Sequence, residues 1–405
     1  MVKDVRAVAT KRQAYDVVIV GGAIMGSATA WFLTQNPDFD GTILVVERDP
    51  GYEFASTSHT NSCIRQQFSS TLNVRISQFA AEFIQNLPKH MGPDAPRLKI
   101  HNFGYLYMAD TPAFADVLRA GQKVQTAAGA GTRVLTGQQI KDAYPFYNVD
   151  DILLGSLNTK DEGYWDGITV FDWFRRQARA KGAEYIRGEV MAMTRNAAGT
   201  AVESVTLASG QVIGCGHVVN CSGPRAAATA RMAGIDLPVE PRKRYTWVFT
   251  AEQPLDRDLP LTIDPSGVHF RQDGKQSYMA GGHSDPDPGA AFDDFAMDHS
   301  LWENKIWPAI ATRIPQFEAI RVQREWVGHY AMNTLDQNAI VGPHPEVTNF
   351  IFQNGFSGHG LQQSPAMGRG VAEWLTYGEY RSLDLSPLGY GRIARGEPYL
   401  EAAII

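Results

Sequence analysis

A chain of 405 residues with 44% apolar side chains is long enough for two domains with sizeable cores. Its net charge of −6, from 37 basic and 43 acidic residues, excludes the basic bias of a nucleic-acid binder, and no apolar run reaches the length of a membrane span. The cysteines Cys63, Cys215 and Cys221 have neither disulfide nor zinc spacing, which points to a reducing, cytoplasmic setting and to no metal site.

Residues 1–13 carry Lys3, Arg6, Lys11 and Arg12 without an apolar stretch, and read as a short disordered lead-in rather than a secretory signal. Val17 to Val20 is a β-branched run expected of a strand buried on both faces. The turn Gly21-Gly22-Ala23-Ile24-Met25-Gly26 follows. Small residues at Gly26, Ser27, Ala28 and Ala30 then begin a helix that can approach the sheet closely. A second apolar strand, Ile43 to Val46, ends in Glu47, 21 residues after Gly26. Helix N-terminal N–H groups suit a pyrophosphate, and a carboxylate at that distance suits ribose hydroxyls. An ordinary strand–helix crossover shares part of this pattern, and the middle glycine of the usual fingerprint is Ala23. The strand before, the helix after and Glu47 together favour a dinucleotide.

Further along, residues 51–70 read as a polar loop. Val74 to Leu87 reads as an amphipathic helix and Phe103 to Met108 as a strand. Phe171 to Lys181 is helical, and Glu184 to Arg187 and Val190 to Met193 are strands. Val202 to Leu207 and Gln211 to Ile213 flank a Ser209-Gly210 hairpin, and His217 to Asn220 enters Cys221-Ser222-Gly223. Arg244 to Thr250, His269 to Arg271 and Ser277 to Gly281 suggest an antiparallel sheet. Trp302 to Ile314 is a helix. The segment Gly355-Phe356-Ser357-Gly358-His359-Gly360-Leu361-Gln362-Gln363 precedes a last helix, Pro365 to Leu375, with the proline in its first turn.

The fingerprint, Val218 to Gly223, Trp326-Val-Gly and Gly355 to Gly360 resemble the D-amino-acid oxidase and sarcosine oxidase superfamily across nearly the whole chain. The runs Ile64 to Ser69, Asp161-Glu-Gly163, Leu237 to Tyr245, Asp336-Gln-Asn338, Val341 to Pro345 and Asp384 to Pro387 resemble a branch of it associated with assembly of respiratory complex I. The resemblance implies an α/β fold, α+β overall: a Rossmann-type FAD-binding domain (14–97, 158–233, 327–385) interleaved with an antiparallel-sheet substrate domain (98–157, 234–326). Residues 1–13 and 386–405 are then terminal extensions. It implies FAD contacts from Gly21, Gly22, Ala23, Ile24, Met25, Gly26, Glu47, Arg48, Ser56, Thr57, Ser58, His59, Val190, Cys221, Ser222, Gly223, His329 and Gly355 through Gln362.

The implied reaction is oxidation of a C–N bond of an amine or N-substituted amino acid by hydride transfer to the flavin. Arg65 is the candidate reader of a substrate carboxylate. His283, His359, Tyr330 and Gln362 are candidates for orienting the substrate, with His269 and Tyr245 as weaker ones. The superfamily's other carboxylate readers are absent: Ala331 to Asp336 has no arginine, and Gln362 replaces a lysine. Met279, beside Tyr278, occupies the place of the cation that promotes reaction with oxygen. A dehydrogenase passing electrons to a quinone or an electron-transfer protein is therefore expected, with a peroxide-producing oxidase, a weakly active FAD-bound assembly factor and a 2-hydroxy-acid enzyme as alternatives. Noncovalent FAD is favoured, since His329 stands where a thioether cysteine would be. Ser56-Thr57-Ser58-His59 has the pattern of a histidine-linked flavin.

Overall fold

The computed structural model describes residues 10–402, so most of the expected lead-in lies outside the described residues. The chain forms two compact units. The first is drawn from residues up to Thr60, Gly167–Pro241 and Tyr330–Leu400; the second from Asn61–Asp166, Arg242–His329 and the residues from Glu401 on.

In the first unit, β1 (Ala14–Val20), α1 (Ile24–Gln35) and β2 (Ile43–Glu47) follow one another as expected. Next come α2 (Gly167–Ala180), β3 (Glu184–Arg187), β4 (Val190–Arg195), β5 (Val202–Leu207) and β6 (Val212–Asn220). The remaining elements are α3 (Ala226–Met232), β7 (Ile340–Pro343), β8 (Phe350–Asn354) and α4 (Gly360–Tyr377). The sheet order is β7-β8-β6-β1-β2-β3, with β5 and β4 continuing from β6. β1 lies parallel to both β6 and β2. This is the doubly wound arrangement, in which ligands bind beyond the carboxyl ends of the strands.

Two sequence expectations change here. The expected strands over 211–213 and 217–220 merge into one nine-residue strand that begins at Val212. Gly214 and Gly216 interrupt its apolar alternation because β1 passes too close for side chains: a Cβ on Gly216 would lie 2.7 Å from the Asp16 carbonyl oxygen. The last helix begins at Gly360, which puts Pro365 inside it. Proline cannot donate to the Leu361 carbonyl; the Ser364 hydroxyl donates to it at 2.9 Å instead. Small residues let α4 cross α1 tightly, since a Cβ on Gly368 would lie 2.7 Å from the Ala28 Cβ.

The second unit contains an eight-stranded sheet ordered Ile320–Asn333, Val239–Ala251, Ser277–Gly282, His269–Gln272, Leu261–Ile263, Tyr105–Ala109, Leu154–Asn158 and Arg133–Thr136. Ser277–Gly282 is antiparallel to both of its neighbours. One face is sealed by a cluster that includes Trp247, Phe249, Phe270, Tyr278, Ile310 and Phe317. The expected helix over 302–314 is interrupted: a π-helical turn, Trp302–Ile306, precedes Trp307–Arg313. Pro112–Ala127 and Gly137–Ala143 are helices beyond those expected, each with a threonine N-cap, Thr111 and Thr136.

The unit boundaries differ from the expected ones. Residues 61–97 and 158–166 group with the second unit rather than the first, where Cys63–Ile64 pairs with Gly163–Tyr164. Residues 386–400 are not an extension. Arg392 donates to Asp336 at 2.6 Å, Tyr399 N donates to the same carboxylate at 2.9 Å, and Tyr390 stacks on Phe352.

Candidate functional site

The glycine turn of the first unit is a main-chain cradle. Gly21 has φ +99°, and a Cβ there would lie 2.4 Å from the Cys221 carbonyl oxygen. A Cβ on Gly26 would lie 2.0 Å from the Gly21 carbonyl oxygen. Neither position can hold a side chain. Ala23 is different: it is the N-cap of α1, with φ −67° and ψ −163°. Any residue adopts that extended conformation, so alanine is held there without backbone strain. Ser27 Oγ braces the turn by donating to the Gly22 carbonyl at 2.7 Å.

The start of α1 carries no side-chain cap bond and no acidic residue in its first turn. At its first residue, Ile24 N makes a long bond to Thr57 Oγ1, at 3.4 Å. An uncapped N-terminus keeps its N–H groups and positive dipole end for an anion. Glu47 is buried at the end of β2 and accepts from Gly22 N and Asp49 N, each at 2.8 Å. Burial raises its pKa, and the two main-chain N–H groups oppose that rise.

The second glycine-rich segment meets the first. Gly355 and Gly358 have φ +66° and +94°, and a Cβ on Gly358 would strike the Tyr330 ring at 2.5 Å. Ser357 Oγ accepts from Asn333 N and Ser357 N donates to the Ala331 carbonyl, both at 3.0 Å. α4 then begins after His359, again without a side-chain cap bond. Gly360, Leu361 and Gln362, expected in a loop, form its first turn. A Cβ on Gly360 would lie 3.3 Å from the Met25 Cε, so the two uncapped helix starts are neighbours.

Gln353 joins these parts. It is buried on β8, accepts from Thr29 Oγ1 at 2.7 Å and Cys221 Sγ at 3.1 Å, and lies 3.6 Å from Met25 Sδ. Gln353 is not among the residues expected from the sequence. Its signal is a polar residue in the apolar run Phe350 to Phe352, just before Gly355. Ser222 donates through N and Oγ to Asn220 Oδ1, and Gly223 follows with φ +56°. Ser58 Oγ donates to the Tyr52 carbonyl at 2.7 Å, and His59 Nδ1 lies 3.2 Å from the Ala55 carbonyl oxygen. Ser56 accepts from His59 N at the turn between them. Val190 is packed in the apolar cluster of the sheet, which leaves only its main chain for a ligand. Arg48 is half exposed beside Glu189.

These parts fit FAD: two helix starts without a side-chain cap bond for negative charge, glycines at which a side chain would fill the cradle, and a carboxylate at the end of β2.

In the second unit, Arg65 is not a surface arginine. It is 2% exposed, its guanidinium lies 4.0 Å above the Phe68 ring and 5.6 Å from Tyr107, and it donates to the Gln67 carbonyl. His283 Nδ1 lies 2.8 Å from the Ser284 carbonyl oxygen, and Lys305 from the π-helical turn donates to the His283 carbonyl at 3.1 Å. Burial lowers the His283 pKa. His269 is deeper: burial, then the positive charges of Arg244, His283 and Arg271, push its pKa down to about 3. It is neutral, and its Nε2 is 2.8 Å from Asn61 Nδ2.

Three further expected positions lie in this unit. Tyr245, one of the weaker candidates, stacks on Trp247 inside the apolar cluster. His329 is packed against Phe295, with Nε2 2.8 Å from the Asp294 carbonyl oxygen. The position of Met279 is not without a cation, because Arg271 pairs with it across the strands. Arg271 is buried and held by Asp273, Gln272 O and Asn61 O. Its register could be read only after the strands were paired.

The three cysteines are free. No cluster of metal-ligating side chains and no helix long and apolar enough to cross a membrane occurs among the described residues.

Comparison with known proteins agrees with this geometry. The model of the family described as FAD dependent oxidoreductase (DAO) matches residues 16–374. The chain is 36% identical to FAD-dependent oxidoreductase domain-containing protein 1 of Xenopus laevis, over 96% of this chain and 85% of that protein. It is 25% identical to mitochondrial sarcosine dehydrogenase of Homo sapiens, over 90% of this chain and 40% of that one. Among solved structures, L-proline dehydrogenase from P. horikoshii superposes with a TM-score of 0.81 at 24% identity, covering 95% of this chain and 99% of that one. Glycine oxidase from Geobacillus kaustophilus does so with a TM-score of 0.78 at 20% identity, covering 93% and 98%.

Proposed function

The chain belongs to the FAD dependent oxidoreductase (DAO) family, and on that premise we propose that it is a dehydrogenase for the C–N bond of an amine or N-substituted amino acid. The observation that carries the reading is the pair of neighbouring, uncapped helix starts at Ile24 and Gly360. When bound, FAD supplies the hydride acceptor. The main chain from Gly21 to Gly26 holds the pyrophosphate and Glu47 takes the ribose hydroxyls. The first N–H groups of α4, at Gly360, Leu361 and Gln362, stabilise negative charge at the ring. Within the second unit, Arg65 reads a carboxylate of the substrate and His283 orients its amine; within the first unit, Tyr330 and His359 stand at the turn that leads into α4. His283, with a lowered pKa, is neutral at pH 7 and leaves the amine free to lose its proton.

The similarity to sarcosine dehydrogenase supports a small secondary amine as substrate and an acceptor other than oxygen, such as a quinone or an electron-transfer protein. The cofactor is held without a covalent bond. Arg271 opposite Met279 favours one second reading, an oxidase, since a buried cation assists electron transfer to oxygen. The test is an anaerobic screen of N-methyl and cyclic amino acids for flavin bleaching, followed by mixing with a dye or with air. Rapid reoxidation by dye and slow reoxidation by air are expected. Reoxidation by air within milliseconds would make it an oxidase, and no bleaching by any amine would contradict both readings.

A further inference from the structure

Glu162 is fully buried in the second unit, and neutral donors surround its carboxylate. Oε1 accepts from Gln66 N at 2.7 Å and Asn158 Nδ2 at 2.8 Å; Oε2 accepts from Gln67 Nε2 at 2.9 Å. Gln67 is itself fixed by the Tyr105 carbonyl and by Ser156 Oγ. The carboxylate therefore anchors the two residues that directly follow Arg65. Arg65 is tied to the same Gln67, to whose carbonyl its guanidinium donates, and its positive charge lowers the Glu162 pKa. The side chains around the pair are Phe68 and Tyr107 over Arg65, exposed Lys160, and Asp161, whose carboxylate accepts from Gln85. His101 pairs with Tyr164 through its main chain.

A substrate carboxylate that docks on Arg65 brings a second anion to one buried cation. Two carboxylates cannot both stay ionised at low cost in such a place. We propose that Glu162 is a proton-holding positioning residue: it is the counter-charge of Arg65 in the free enzyme, and it takes up one proton from solvent when a substrate carboxylate binds. The buried charge is then balanced in both states: guanidinium with Glu162 carboxylate before binding, guanidinium with substrate carboxylate after it. Burial already raises Glu162 to about 7, against the bonds from Gln67, Gln66 and Asn158 and the charge of Arg65. The proton is thus exchanged near neutrality. The inference rests on the reading of Arg65 given above.

The test uses the FAD-loaded protein and acetate, a carboxylate that cannot be oxidised here, read by the change it causes in the flavin absorption band. Above pH ~7 the wild-type Kd should rise, approaching about tenfold per pH unit. Glu162→Gln should bind acetate with a flat pH dependence and more tightly than wild type at high pH. A flat wild-type profile, or a Glu162→Gln profile as steep as wild type, overturns the inference. If that variant does not fold, calorimetry of the wild type in buffers of different ionisation heat decides. Proton uptake approaching one per acetate above pH ~7 supports the proposal, and none overturns it. Arg65→Met separates the premise from the inference. Undiminished acetate binding in that variant, or no acetate binding by wild type, removes the reading of Arg65 itself. Binding lost in Arg65→Met but independent of pH in wild type removes only the role of Glu162.

Discussion

The cradle of the first unit is built from main chain, whereas the polar centre of the second is built from buried side chains. At Gly21, Gly26 and Gly358 the structure requires the absence of a side chain, and the binding groups proposed above are N–H donors common to every residue. Around Arg65, Glu162 and His269 it requires particular side chains, each desolvated and bound to named partners. A main-chain site tolerates substitution only where φ is ordinary and a Cβ meets no neighbour, a condition that Gly26 fails by its contact with the Gly21 carbonyl. A side-chain site tolerates little, and it can discriminate among substrates.

The sharpest break of this contrast is Gly26→Val. Its Cβ would overlap the Gly21 carbonyl, so loss of FAD affinity by roughly a hundredfold or more is expected, about 3 kcal/mol. Equilibrium dialysis measures it, and retained yellow colour would refute the main-chain account. The next effect concerns pH. Glu162 has a folded pKa raised from 4.5 to about 7, so its stabilising contribution is complete below pH ~4.5 and is lost as pH rises through ~7. By the linkage relation that span is worth roughly 3 kcal/mol. Urea unfolding at both ends of the range should show a smaller pH dependence in Glu162→Gln than in wild type; equal slopes would contradict the assignment.

Arg65→Met should raise KM for a carboxylate-bearing substrate by roughly 30-fold, the lower end for losing one partner of a buried charge pair. FAD content should stay unchanged. An unaltered KM would show that another group reads the carboxylate. The smallest effect is expected for Ala23→Gly. Because φ at Ala23 is already −67°, FAD affinity should change by less than about threefold. A large gain would mean that the alanine methyl crowds the pyrophosphate.

The main-chain site was legible in the sequence because glycines report steric demand directly. Gly21, Gly26, Gly355 and Gly358 announced close approaches that the structure displays. Glu47 was readable by its distance from Gly26, since one strand–helix–strand unit has a nearly constant length. The side-chain site was less legible. Arg271 meets Met279 only through antiparallel register, and Glu162 meets Gln66 and Gln67 only after distant segments pair. The start of α4 was misplaced because Pro365 signals a first turn, and the hydroxyl of Ser364 that allows it inside the helix carries no marker of its own. Residues 386–400 looked like a tail because Arg392 and Tyr399 converge on Asp336 from far along the chain.

The central claim is that this chain binds one flavin dinucleotide through the glycine segments at its two ends. Titrating flavin-stripped protein with FAD, and following the quenching of flavin fluorescence, tests it most directly. Saturation at an equimolar ratio is expected for wild type, with binding lost in Gly26→Val and weakened in Gly358→Ala, where the added methyl meets Tyr330. A folded wild-type protein that leaves the fluorescence of added FAD unchanged would contradict the account.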